Sequence, residues 1–81
     1  KGKKLKFTFQ EQRDYETIEA EIASLEEKAE RLEAETASAA TDFVKLNQLT
    51  KEKEEVEALL EQKMERWMYL EDLAARIEAE N

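Results

Sequence analysis

The sequence predicts an all-α protein: a two-helix antiparallel coiled-coil hairpin with an extended N-terminal lead-in. Three observations predict it. Charged residues make up 42% of the chain and hydrophobic ones 41%, with no Pro and a single Gly, a profile shared by long helices and coiled coils. From Leu46 to Ile77, apolar residues recur at alternating steps of three and four, through Leu49, Val56, Leu60, Trp67, Leu70 and Ala74. That spacing marks one side of a long amphipathic helix. Upstream, Tyr15, Ile18, Ile22, Leu25, Ala29 and Leu32 repeat the same period. Neither face is stable in water alone, and each supplies the cover that the other needs.

Residues 1–8 form a basic lead-in, and residues 9–81 form the helical hairpin. Leu5, Phe7 and Phe9 alternate with Lys6 and Thr8, so extended backbone places all three apolar side chains on one side. They are expected to cover the end of helix two near Leu70 and Ala74. Helix one, about 9–37, opens on a capping-box signal, Thr8 followed three residues later by Glu11. Glu11 and Asp14 also suit the positive end of the helix dipole. The seam then weakens through Thr36-Ala37-Ser38-Ala39-Ala40. The turn belongs at about 37–42, with Thr41 or Asp42 capping helix two, about 42–80. No Gly or Pro forces that break, which leaves one continuous helix as the structural rival.

Register favours the hairpin. In an antiparallel pair, opposing core positions have residue numbers with a nearly constant sum. Tyr15 with Trp67, Ile22 with Leu60 and Ala29 with Lys53 give 82; Ile18 with Lys63, Leu25 with Val56 and Leu32 with Leu49 give 81. Lys53 and Lys63 lie on the seam, where snorkelling would bury the stem and send the ammonium to a flanking Glu. Leu59, Met64, Met68 and Leu73 widen the seam of helix two. Trp67 is expected in the core against Tyr15 and Phe9, and Met68 and Tyr69 are the candidates for an exposed apolar contact.

The composition argues against catalysis. There is no His, so the usual general base near neutral pH and the imidazole metal ligand are both missing. There is no Cys for a disulfide or a thiolate site, and the lone Gly cannot build a phosphate-cradling loop. Glutamate pairs such as Glu54-Glu55 read as solvated helix faces. No catalytic residue, metal ligand or cofactor site is therefore expected in this chain. No apolar run approaches the ~18 residues of a membrane span, and no signal-peptide pattern follows the first lysines, so the expected location is the cytoplasm.

Charge is uneven along the chain. The formal net charge is −8, yet Lys1, Lys3, Lys4 and Lys6 place +4 on the first six residues. The other 75 residues carry 9 basic and 21 acidic side chains, a net of −12. Such a body repels phosphate, so any nucleic-acid contact concentrates on the basic leader.

Two stretches resemble a known family. Lys6-Phe7-Thr8-Phe9-Gln10-Glu11-Gln12-Arg13-Asp14-Tyr15-Glu16 is similar to the K-L-S-Y-K-E-Q-R-E-L-E opening of the C-terminal domain in ABC-F ATPases of the Uup type. Glu65-Arg66-Trp67-Met68-Tyr69-Leu70-Glu71 resembles that domain's E-R-W-E-E-L-E, and Asp42-Phe43 its turn into the second helix. The resemblance implies a two-helix coiled coil following two ATP-binding cassettes, with ATP and magnesium confined to those cassettes. It also implies weak contact with DNA or ribosomal RNA. The nucleic-acid-binding positions carried over are Lys1, Lys3, Lys4, Lys6 and Arg13. The competing expectation is a structural or protein-interaction coiled coil that positions the cassettes or dimerises; a monomer is expected for this chain.

Overall fold

The computed structural model describes residues 4–80 and folds as two helices, α1 (Phe9–Ser38) and α2 (Phe43–Glu80), joined by a tight turn. The rod measures 66 × 15 × 14 Å. The 38 residues of α2, at about 1.5 Å each, account for most of that length.

Local chemistry accounts for each helix end. Thr8 is extended (φ −70°, ψ 168°); its hydroxyl accepts from the Glu11 N–H at 3.1 Å, and its own N–H donates to Glu11 Oε1 at 2.9 Å. Both arms of the capping box are therefore made. At the other end, the Ala39 N–H is shared between the carbonyls of Glu35 (3.0 Å) and Thr36 (3.2 Å). The Asp42 N–H then donates to the Ala39 carbonyl at 2.9 Å, and the Asp42 carboxylate accepts the Lys45 N–H at 3.1 Å. Among the described residues no φ is positive, so this reversal needs no glycine. The hairpin, not the continuous helix, is formed.

One apolar cluster fills the half of the rod nearest the turn: Leu32, Ala39, Leu49 and Val56, with Leu25, Ala29 and Leu46 packed against it. It contains the facing pairs Leu25 with Val56 and Leu32 with Leu49. Ile18 and Leu70 are the most deeply buried large side chains toward the open end. Lys63 reaches Glu21 at 2.8 Å, and Lys53 reaches Glu33 at 3.7 Å and Glu57 at 4.0 Å, each with a half-buried stem. Snorkelling lets both lysines occupy the seam without a buried bare charge.

Three apolar expectations are corrected. Phe9 is 78% exposed and covers nothing on α2. The alternation of the lead-in stops at the Thr8 cap, and Phe9 is already the first helical residue. It stands nine residues before buried Ile18, and nine residues at about 100° each end half a turn away, on the outer face. Leu5 and Phe7 are half-buried, and Phe7 packs on Tyr15 with ring centroids 5.1 Å apart, bordering Ala74 and Ile77. Trp67 accordingly does not pack on Phe9. It is half-buried, bordering Ile22 and Met64, and its indole Nε1 is buried without a hydrogen-bond partner among the described residues. Leu59, Met64 and Met68 stay exposed, at 43%, 41% and 62%. With a single partner helix, α2 can bury one side only, and the widened seam spills past it. Leu73 is half-buried.

Candidate nucleic-acid interface

The candidate surface is the open end of the hairpin, where the lead-in meets α1 and the far half of α2. Lys4 and Lys6 are exposed ahead of the Thr8 cap, and Arg13 is exposed in the second turn of α1. Lys1 and Lys3 lie outside the described residues. The Arg13 guanidinium stands over the Phe9 ring, 5.9 Å from its centroid, as residues four apart on a helix allow. The exposed phenylalanine thus supports a cation instead of the core. Lys4, Lys6 and Arg13 form no ion pair with any described residue.

Of the other cations near this end, Arg76 pairs with Asp72 on its own helix at 3.3 Å, and Arg66 is engaged across the helices. Arg66 donates to Asp14 Oδ2 from Nε at 3.3 Å and from Nη2 at 3.2 Å. Its guanidinium also lies 5.2 Å from the centroid of the Tyr69 ring. The Tyr69 hydroxyl donates to Glu11 Oε2 at 2.6 Å, so Glu11 serves the α1 cap with one oxygen and α2 with the other. Together these contacts clasp the start of α1 to α2.

Titration follows the clasp. The Tyr69 hydrogen bond, followed by that from the Thr8 backbone, holds Glu11 below the ordinary carboxyl range. Asp14 is also lowered, first by the Gln10 amide and then by Arg66. Tyr69 is raised by the Glu11 carboxylate beside it, and Tyr15 by Glu71. The carboxylates therefore stay ionised and the phenols neutral through the physiological range. Asp14 with Arg66 and Glu11 with Tyr69 each give a sum of 80, one or two below the core sums, so the register places both pairs nearly level across the hairpin.

The surface is an open end where three described cations, Lys4, Lys6 and Arg13, stand outside any ion pair with described residues on an acidic rod. It can neutralise a few phosphates without reading bases. Among the described residues no group of three or more His, Cys, Asp or Glu side chains could hold a metal ion. No helix there is long and apolar enough to cross a membrane.

Comparison with known proteins covers the same stretch. A family model described as the ABC transporter C-terminal domain matches residues 6–72. The uncharacterized ABC transporter ATP-binding protein YfmR of Bacillus subtilis (strain 168) is 38% identical over 79 residues. That alignment covers 98% of this chain and 13% of the length of YfmR. No solved structure matches.

Proposed function

The chain belongs to the ABC transporter C-terminal domain family, and from that membership we propose a non-catalytic accessory domain of a longer ATP-binding protein, contributing nucleic-acid contact. ATP and magnesium belong to the cassettes in this reading, and the hairpin supplies a rigid arm beside them. The observation that supports contact is the sorting of cations at the open end. Arg66 is engaged with Asp14 and Lys63 with Glu21, while Lys4, Lys6 and Arg13 face solvent. Lys1 and Lys3 extend the same cluster in sequence. The ligand is the phosphate backbone of DNA or ribosomal RNA, bound weakly and without sequence preference.

A salt titration tests this reading. Binding of duplex DNA and of ribosomal RNA fragments is measured for the chain and for a variant with Lys3, Lys4 and Lys6 replaced by Gln. Each phosphate contact contributes a slope of roughly 0.9 in log K against log salt on duplex DNA. The variant is expected to lose most of its affinity and to show a shallower slope. Equal binding by both proteins moves the site elsewhere.

The shape of the rod supports a second reading, a structural coiled coil that positions the cassettes. It is 66 Å long, and the Arg66–Asp14 and Tyr69–Glu11 contacts clasp it at the end nearest the lead-in. No binding by either protein at low salt would leave this reading in possession.

A further inference from the structure

The two long sides of the rod differ in charge. On one, Lys63 pairs with Glu21 and Arg66 with Asp14, so carboxylates are matched by cations. The other carries a shallow groove of about 180 Å³ lined by Glu19, Ile22, Ala23, Glu26, Met64 and Trp67. Met68, one turn beyond Met64, is 62% exposed and extends the apolar floor. Carboxylates border the floor at helical repeats. Glu19, Glu26 and Glu33 follow one another every seven residues on α1, and Glu57 and Glu71 bracket Met64 at the same interval on α2. Lys53 ties Glu33 to Glu57 and closes the turn end of this track. The rest of the track is apolar in the middle and anionic at both edges.

We propose that this groove docks a basic amphipathic helix from another protein, its apolar stripe on Ile22, Met64, Trp67 and Met68 and its Lys or Arg residues over the flanking glutamates. Its apolar residues run along the rod at helical spacing, as Met64 and Met68 do, which suits a helix laid along them. Methionine adapts to differing apolar partners, and two stand on this floor. Charge selects the occupant. A second copy of this chain would bring its own glutamates against Glu19, Glu26 and Glu71, and nucleic acid would bring phosphates to the same carboxylates. A cationic helix answers both edges at once. The partner therefore differs from the one proposed for the lysine-rich end, and the two surfaces can be tested separately.

The chain contains one tryptophan, so Trp67 emission reports directly on the groove. The probe is a peptide of about five helical turns, with leucines at i, i+3, i+4 and i+7 and lysines elsewhere. A scrambled peptide of identical composition is the control. At physiological salt the amphipathic peptide should shift Trp67 emission to the blue with micromolar affinity, and the scrambled one should bind at least about tenfold more weakly. Met64→Glu with Met68→Glu makes the surface more acidic and less apolar. It should weaken amphipathic binding about tenfold or more, whereas attraction by charge alone would strengthen it. Both side chains are exposed, and circular dichroism checks that the variant keeps its helices. Glu19→Gln with Glu26→Gln, which leaves the core untouched, should weaken binding several-fold. Equal binding of the two peptides, or unchanged or tighter binding by the methionine variant, overturns the proposal. So does an emission shift that depends on protein concentration without peptide, since that would make a second copy the occupant.

Discussion

The Tyr69 hydroxyl donates to the Glu11 carboxylate at 2.6 Å across the open end of the hairpin, joining two residues 58 apart in sequence. Because Glu11 also completes the capping box, the helix start and the helix pairing share one side chain. Helix start and hairpin closure are thereby coupled. A change in the charge of Glu11 is felt at both.

That coupling predicts a pH window. Glu11 and Asp14 titrate below their ordinary 4.5 and 3.8, so their contribution is present above those values and lost as pH falls through the lowered ones. Tyr69 titrates above its ordinary 10.0, so its contribution is present below that value and lost as pH rises through the raised one. The clasp should be tightest between about pH 5 and 9, loosening on either side. Tyr69→Phe should move the Glu11 carboxyl titration, followed by NMR, up toward its ordinary value. An unmoved Glu11 titration would show that the hydrogen bond is not formed in solution.

Phe7 and Phe9 should differ sharply on truncation. Phe7→Ala removes a half-buried ring from Tyr15 and should cost about 1–3 kcal/mol, below the ~3–5 of a fully buried Phe. Phe9→Ala removes an exposed ring and should stay within about 0.5 kcal/mol. Urea melts of the two variants decide this, and a larger loss from Phe9 would reverse the packing described for the lead-in.

Leu70 and Met68 make a matching contrast two residues apart on α2. Leu70 has no exposed surface, and Leu70→Ala should cost about 2–5 kcal/mol by lost burial and the cavity left behind. Met68→Ala, on the exposed floor of the groove, should cost at most about 0.5 kcal/mol. Comparable thermal shifts in the two variants would mean that Met68 is covered in solution.

The turn depends on a cap in place of a glycine. Asp42→Ala removes the acceptor of the Lys45 N–H and should cost about 0.5–2 kcal/mol, whereas Asp42→Asn or Asp42→Ser should restore most of it. Equal melting of the Ala and Asn variants would show that the carboxylate oxygen is not capping α2.

The helices, the capping box, a cap at Thr41 or Asp42 and the antiparallel pairing were legible in the sequence because each follows from local spacing. Thr8 and Glu11 are three residues apart, the apolar period is fixed by helix geometry, and a turn near residue 40 makes the pairing sums constant. The lysines on the seam were legible for the same reason. Tertiary structure decided what depends on angle around the helix axis and on which side the lead-in takes. Strand-like alternation grouped Phe7 with Phe9, but the Thr8 cap ends the alternation and rotates Phe9 outward, where it meets Arg13. Composition gave the body only a net charge of −12. Only the placed side chains show that Lys63 and Arg66 neutralise one side of the rod and leave glutamates bordering the methionines of the other. Spacing along one chain defines which residues share a helix face. The orientation of two helices about their common axis decides what each face meets, and that is set by their packing.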